Sequence, residues 1–248
     1  MKDKPIVLAV ATEVTNDVNN FTTTLDQHGY DYRLLGVGME WPGFILKFEL
    51  YKASLNNIDP EQVVILSDSS DVLFVRSWVD DYLPVEGRIS VGAEVGGTMS
   101  SPLTNFRRHW YMHPEPKVDS YYNAFVNSGF VVGRCKDLKV HYSETEKEIK
   151  ESKEEDDQKL LCAVMNKFPE RYCLDTLGKW SVTMAHPTRQ NVKLKPEEVV
   201  YTHVAGVSKP LALHYAGKGH PRLKRTRRQY KRAVKELMPQ GKKNSCIY

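Results

Sequence analysis

The chain has 248 residues, of which 41% are hydrophobic, and it carries a formal net charge of +4. This length suits one large α/β domain with a substantial buried core and is too short for two such domains. Because the sequence has neither an apolar run of about 18 residues, which a membrane helix needs, nor a signal-peptide pattern, we expect a soluble, cytoplasmic protein without a membrane span.

Apolar runs typical of buried strands alternate with segments of helical spacing through the first half of the chain. Such alternation predicts βαβ units and a mixed, mostly parallel sheet that is flanked by helices. The predicted strands are residues 6–11, 32–35, 63–66, 89–93 and 130–132, and the predicted helices are residues 18–28 and 44–55.

Two carboxylates, Asp68 and Asp71, interrupt the apolar run at residues 63–74. Burying unpaired carboxylates costs several kcal/mol, so such a pair normally lies at a strand end beside a cation or hydrogen-bond donors. The strand ends of an open α/β sheet line its ligand crevice, where Mg²⁺ or Mn²⁺ can bridge carboxylates to phosphate oxygens. We therefore predict a metal site here. The alternative is that Asp68 only caps a turn through its side-chain oxygens.

Two polar segments border apolar elements in the middle of the chain. Asp156 and Asp157 precede the apolar run at 160–165, and Asn127 opens an Asn-Ser-Gly segment before the strand predicted at 130–132. Each segment lies where a polar side chain could face a cleft. The alternative for the two aspartates is a structural one, because the helix dipole favours acidic residues in a first turn.

A histidine and a glycine-rich turn follow much later in the chain. His214 comes after the apolar residues 211–213 and precedes Gly217-Lys218-Gly219. An imidazole can complete a metal site, glycine allows the backbone to approach a phosphate, and lysine supplies a point charge. His214 is therefore our candidate for the third metal ligand. The alternative is a core histidine whose ring is hydrogen-bonded within the protein.

Charged residues are concentrated in two places. Residues 144–157 form a dense run that we interpret as a solvated helix face, with Lys150 spaced for pairing with Glu146 or Glu154. From Lys218 onward there are 11 lysines and arginines and one acidic residue. Residues 221–238 are predicted to form a basic amphipathic helix that ends at Pro239 and Gly241.

The basic tail suggests a surface for an anionic partner or for an acidic patch of the protein itself. Nucleic-acid binding through phosphate contacts is the non-enzymatic alternative, which we disfavour because no recognition motif accompanies the tail. We divide the chain into a catalytic domain at 1–220 and a basic helix and tail at 221–248.

Several short motifs, taken together and in order, resemble the glycosyltransferase domain of the multifunctional procollagen lysyl hydroxylases. The resemblance spans most of the chain, and the order of the motifs makes it specific. The motifs are VLAVAT at 7–12, GVGMEW at 36–41, VILSDSSDVLF at 64–74, SVGAE at 90–94, NSGFVVG at 127–133, DDQ at 156–158 and LHYAGKG at 213–219.

The resemblance implies a GT-A-like, Rossmann-type fold and a retaining, metal-dependent glycosyltransferase. In that family glucose passes from UDP-glucose to galactosyl-hydroxylysine of collagen or a collagen-like polypeptide, with help from Mn²⁺, for which Mg²⁺ could substitute. The family works in the endoplasmic reticulum, in contrast to the cytoplasmic location that we expect from the sequence. Assembly as a homodimer is left open.

The resemblance also implies roles for individual residues. Asp68, Asp71 and His214 match the metal triad of the family. Thr12 would lie near the uridine, and Gly217 with Lys218 near the diphosphate. The remaining matched positions are Lys47 and Asp68 near the donor, and four residues that would line the sugar and acceptor side, which are Glu94, Asn127, Asp156 and Asp157. Among the carboxylates, Asp157 is our first candidate for the catalytic group, Asp156 the second and Glu94 the third.

One position departs from the family pattern. Ser70 stands where the family tends to carry an aromatic residue suited to stacking on uracil. This departure concerns nucleotide affinity and base choice. A separate alternative is another UDP-sugar transferase, such as a hydroxylysine galactosyltransferase or a glycan transferase. A haloacid-dehalogenase-type phosphatase is disfavoured, because its two aspartates are one residue apart, whereas Asp68 and Asp71 are more widely spaced.

Overall fold

The computed structural model describes residues 4–94, 125–184, 191–195, 198–203, 206–218 and 224–238. This part of the chain contains five α-helices, which are α1 (Asn16–Gln27), α2 (Phe44–Leu55), α3 (Cys135–Ser152), α4 (Asp157–Lys167) and α5 (Lys224–Leu237). Among them, none combines the length and the apolar character needed to cross a membrane.

The same residues form twelve strands. They are β1 (Ile6–Val10), β2 (Asp31–Leu35), β3 (Val63–Asp68), β4 (Val72–Phe74), β5 (Ile89–Glu94), β6 (Phe125–Arg134), β7 (Tyr172–Asp175), β8 (Ser181–Thr183), β9 (Asn191–Lys195), β10 (Glu198–His203), β11 (Gly206–Ser208) and β12 (Ala212–His214).

Six strands form the main sheet in the order β2-β1-β3-β6-β5-β7. The pairings β1 with β2, β1 with β3, and β5 with β7 are parallel, whereas β6 runs antiparallel to both of its neighbours. The prediction of a mixed, mostly parallel sheet is confirmed. Because β2 and β3 lie on opposite sides of β1, the carboxyl ends of β1 and β3 border a crevice, and Val10 is in register with Asp68.

Helices cover both faces of this sheet, as predicted. α2 packs Tyr51 and Leu55 into one hydrophobic cluster, to which α3 and α4 also contribute. α1 begins after Thr15, whose hydroxyl accepts a hydrogen bond from the N–H of Val18, and it packs Phe21 into a second cluster. Successive β3 residues belong alternately to the two clusters, which places the clusters on opposite faces.

The charge run at 144–157 is not one continuous helix, which corrects the interpretation above. α3 ends at Ser152, and Lys153 adopts a left-handed conformation with φ of 59°. Lys150 pairs with Glu146 at 3.3 Å as predicted, whereas Glu154 pairs with Lys159. The break occurs because Asp156 caps a new helix, α4, so the acidic residues after 153 belong to a helix entry.

A bulge in β5 adjusts the strands that border the site. The register between β5 and β6 shifts between Val91 and Gly92, and Gly92 then lies opposite Asn127. A Cβ at Gly92 would come within 3.1 Å of the backbone oxygen of Phe130. Glycine therefore permits the close approach of backbone that the bulge needs.

The remaining strands form two three-stranded sheets, β4-β12-β8 and β9-β10-β11. The helix predicted at the basic tail is observed as α5, although residues 221–223, Pro239 and Gly241 lie outside the described residues, as does the predicted domain boundary at 220. α5 buries Tyr230 and Ala233 in a third cluster with Leu213 and Tyr215. Its seven lysine and arginine side chains are all exposed to solvent.

Candidate functional site

Three side chains that are distant in sequence meet at the carboxyl end of β3. Asp68 is the last residue of β3, and Asp71 lies in the turn before β4. β12 pairs antiparallel with β4, so that His214 is in register with Val72. The N–H of Tyr215 also donates to the carbonyl oxygen of Asp71 at 2.7 Å. Strand pairing therefore carries His214 to the two aspartates.

The geometry of Asp68, Asp71 and His214 suits a metal ion. Nε2 of His214 lies 3.6 Å from Oδ2 of Asp68 and 3.5 Å from Oδ1 of Asp71. One ligand atom from each residue lies within 4.8 Å of the others. Within the described part of the chain, both ring nitrogens of His214 and Oδ1 of Asp71 are buried without a hydrogen-bond partner. Two carboxylates and an imidazole fit a divalent cation, and a cation would satisfy these buried atoms.

Charge couples the three groups. Burial acts to lower the pKa of His214, but the Asp71 and Asp68 carboxylates outweigh it, so the pKa lies above its ordinary value. Burial acts to raise the pKa of Asp71, but His214 outweighs it, and the pKa is lowered. A cation at this position would supply positive charge beside the two carboxylates.

Gly129 in β6 leaves the space that these ligands occupy. A Cβ at this position would lie 2.3 Å from Cε1 of His214 and 2.6 Å from Oδ2 of Asp68. No larger residue fits without moving a ligand. The Asn-Ser-Gly segment was predicted to border a cleft, but this role of Gly129 was not predicted, although a glycine inside a strand was the available signal.

Lys47 links the metal ligands to a further carboxylate. Its Nζ donates to Oδ1 of Asp68 and to Oδ2 of Asp157, both at 2.7 Å. The Lys47 side chain is buried, and burial acts to lower its pKa, but Asp157 and then Asp68 raise the pKa well above the ordinary value. Lys47 is therefore a cation that fixes the relative positions of Asp68 and Asp157.

The three catalytic candidates have different surroundings. Asp156 is the N-cap of α4, and its Oδ1 accepts a hydrogen bond from the N–H of Lys159 at 2.8 Å. Asp157 instead faces Lys47, with 21% of its side chain exposed. Glu94 is buried, and its Oε2 accepts from Nδ2 of Asn127 at 3.1 Å. Asp157 alone of the three is both partly exposed and paired with the cation beside the metal ligands.

Asn127 acts on the site through the backbone. Its Oδ1 accepts from the N–H of Gly129 at 3.0 Å, while its amide donates to Glu94. Burial acts to lower the pKa of His214, and the Glu94 carboxylate helps to raise it, after the larger effects of Asp71 and Asp68. Asn127 and Glu94 therefore support the wall of the site on which Gly129 lies.

The donor-side candidates are arranged around the same crevice. Thr12 lies two residues beyond β1 and is half-buried, and its carbonyl oxygen accepts from the N–H of Gly38 at 2.9 Å. Gly217 has a φ of 71°. Nζ of Lys218 is paired with Asp17 at 2.7 Å and does not contact the metal ligands directly. Ser70 is exposed, whereas its neighbour Ser69 donates to the carbonyl oxygen of Val10 at 2.7 Å.

A small cavity lies behind Lys47 and Asp157. It has a volume of about 50 Å³ and is lined by aromatic side chains such as Phe48, Tyr51 and Tyr142. This volume holds a few water molecules but no hexose. A sugar would therefore have to bind on the open side of Asp157.

Comparison with known proteins gave one family. The family model described as the PLOD GT domain matches residues 1–165. The matched segment includes Asp68, Asp71, Lys47 and Asp157, while His214 lies beyond it. A search of curated proteins gave no match.

Proposed function

The chain belongs to the PLOD GT domain family and is a glycosyltransferase of the lysyl hydroxylase type, and on this premise we propose that it transfers glucose from UDP-glucose to galactosyl-hydroxylysine of a collagen-like polypeptide. The observation that carries the proposal is the arrangement of the Asp68, Asp71 and His214 cluster beside the Lys47–Asp157 ion pair. The first group suits a metal-bound diphosphate, and the second offers a carboxylate for the sugar.

Asp68, Asp71 and His214 would hold Mn²⁺, with Mg²⁺ as the substitute. When bound, the cation supplies a Lewis acid that neutralises the negative charge developing on the departing UDP. Gly217 allows the backbone to approach the diphosphate, and Lys218 adds a positive charge beside it. Thr12, at the end of β1, would contact the uridine.

Asp157 is the proposed catalytic carboxylate. In the transfer the bond from the anomeric carbon to the diphosphate oxygen breaks, the bond to the acceptor oxygen forms, and the acceptor proton leaves to the departing phosphate. Asp157 would stabilise positive charge at the anomeric carbon during this transfer. Alternatively, it would attack the anomeric carbon from the far face as UDP departs, and the acceptor oxygen would then break the bond to Asp157; either course is compatible with retention. Lys47 orients this carboxylate, whereas Asp156 is engaged as a helix cap.

The surroundings of Ser70 bear on how the nucleotide of the donor is bound. Ser70 offers no ring for stacking on uracil and is exposed. A loss of stacking weakens nucleotide binding by about 1–3 kcal/mol per base. Transfer of galactose from UDP-galactose to hydroxylysine itself, with release of UDP, is the second candidate.

The test measures sugar transfer from UDP-glucose and UDP-galactose, with Mn²⁺, to a galactosyl-hydroxylysine peptide and to a matched hydroxylysine peptide. Asp68→Ala and Asp71→Ala should each abolish turnover, and removal of the metal by a chelator should do the same. Asp31→Ala is the matched control, because Asp31 is exposed and pairs with Lys4 at 3.1 Å, away from the site. Full activity in either site variant would disprove the metal role, and transfer only from UDP-galactose would replace the proposed donor.

A further inference from the structure

Lys218 is held by side chains from both ends of the described chain. Its Nζ lies 2.7 Å from Oδ2 of Asp17, in the first turn of α1, and 3.4 Å from the centroid of the Tyr230 ring in α5. The Lys218 side chain is 9% exposed. A cation that is buried to this extent needs partners, and here an anion and the face of an aromatic ring provide them.

These contacts adjoin the metal ligands. The Tyr230 ring lies edge-on to the ring of Tyr215, with centroids 5.4 Å apart, and the N–H of Tyr215 donates to the carbonyl oxygen of Asp71. The Tyr230 hydroxyl accepts from Nδ2 of Asn20 at 3.4 Å. Burial acts to raise the pKa of Asp71, but His214 and then Lys218 act against burial, and the pKa is lowered. Lys218 therefore lies within electrostatic reach of Asp71.

Resting on the proposed function, in which Lys218 contacts the donor diphosphate, we propose that Tyr230 positions Lys218 and that Asp17 is the counter-ion which the diphosphate replaces. An aromatic face attracts an ammonium group without neutralising its charge, so Tyr230 can hold Lys218 and leave its charge available. The Asp17 side chain is 44% exposed, so its carboxylate can turn to solvent when a diphosphate takes its place beside Lys218. α5, which lies outside the matched residues 1–165, thereby takes part in donor binding.

The experiment is calorimetric titration of UDP into the full chain in the presence of Mn²⁺. Tyr230→Leu should weaken UDP binding by about tenfold, and Tyr230→Phe, which keeps the ring, should restore most of it. In a Lys218→Ala background, Tyr230→Leu should cause little further loss. Lys231→Leu is the control for charge, because Lys231 is an exposed cation of α5 and its effect is screened by salt.

The inference would be overturned if Tyr230→Leu and Tyr230→Phe weakened UDP binding equally. It would also be overturned if Tyr230→Leu caused the same loss of affinity in the Lys218→Ala background as in the wild type. Tyr230 is buried, so Asp17→Asn provides a test that spares the core. This variant should tighten UDP binding by about three- to fivefold, because the diphosphate no longer competes for Lys218, and the gain should shrink in Lys218→Ala. Unchanged or weaker binding would contradict the exchange.

The two proposals fail in different ways. If the wild-type chain does not bind UDP with Mn²⁺, the proposed function is wrong. If it binds UDP but the affinity is insensitive to Tyr230 and Asp17, only the inference about Lys218 is wrong.

Discussion

Replacing Gly129 by alanine should damage the metal site with little effect on the fold. The added Cβ would lie 2.3 Å from Cε1 of His214 and 2.6 Å from Oδ2 of Asp68, whereas ordinary contacts begin near 3.4 Å. At least one of the two side chains must therefore move by about 1 Å. The atoms that overlap with the new Cβ belong to the imidazole and the carboxylate themselves, so the movement would displace candidate ligand atoms. We expect the affinity for Mn²⁺ to fall by about 100-fold, as it does when the support of a ligand is lost.

Titration calorimetry of Mn²⁺ would measure this loss, and thermal unfolding would report on the fold. Gly133→Ala is the matched control in the same strand. Its Cβ would lie 3.2 Å from Cγ of Leu138, so it would be far less crowded than a Cβ at Gly129. The control should lower stability by about 1 kcal/mol and leave Mn²⁺ binding intact. Wild-type affinity in a folded Gly129→Ala protein would refute the assignment of these ligands.

Four further variants test other parts of the site and fold. Lys47→Met should lower kcat/KM by about 100-fold with Mn²⁺ binding largely kept, because Asp157 loses its orienting cation; equal activity would exclude this role. Asp157→Asn should lower kcat by a similar factor of about 100. Asp156→Ala should lower the unfolding free energy by about 1 kcal/mol, as loss of a helix cap does, and should change activity little. The reverse pattern would exchange the roles of the two residues. Burial lowers the pKa of His141 to about 4. The unfolded chain therefore binds a proton at His141 that the folded chain does not bind, and the contribution of His141 to the unfolding free energy should fall by about 3 kcal/mol as the pH decreases from 6.5 to 4. His141→Gln should flatten this dependence in denaturant titrations, and an unchanged slope would contradict it.

The first half of the fold was predictable from local patterns. The predicted strand at 63–66 and helix at 44–55 correspond to β3 and α2, because apolar runs and helical spacing report burial directly. The grouping of Asp68 with Asp71 followed from two carboxylates in an apolar run. His214 could be proposed from its neighbours and from the family resemblance, and pairing between β4 and β12 supplies the physical reason.

Features that depend on distant contacts were not predictable. The antiparallel direction of β6 was missed, because the period of one strand carries no information about its direction. Lys47 and Asp157 belong to two helices that are far apart in sequence, so their 2.7 Å contact exists only in the folded protein. The end of α3 at Ser152 was also not predicted. The residue after it, Lys153, is left-handed, and a lysine, unlike a glycine, does not indicate that conformation in a sequence.

The pairing of β12 between β4 and β8 has a consequence for biosynthesis. During translation, a chain that has emerged only as far as β8 contains both aspartates and Lys47 but lacks the imidazole. Because domains fold as units while the ribosome adds residues from the N-terminus, the complete ligand set is among the last features to form. If the three side chains hold a cation as proposed, its binding would distinguish chains that include His214 from chains interrupted before it.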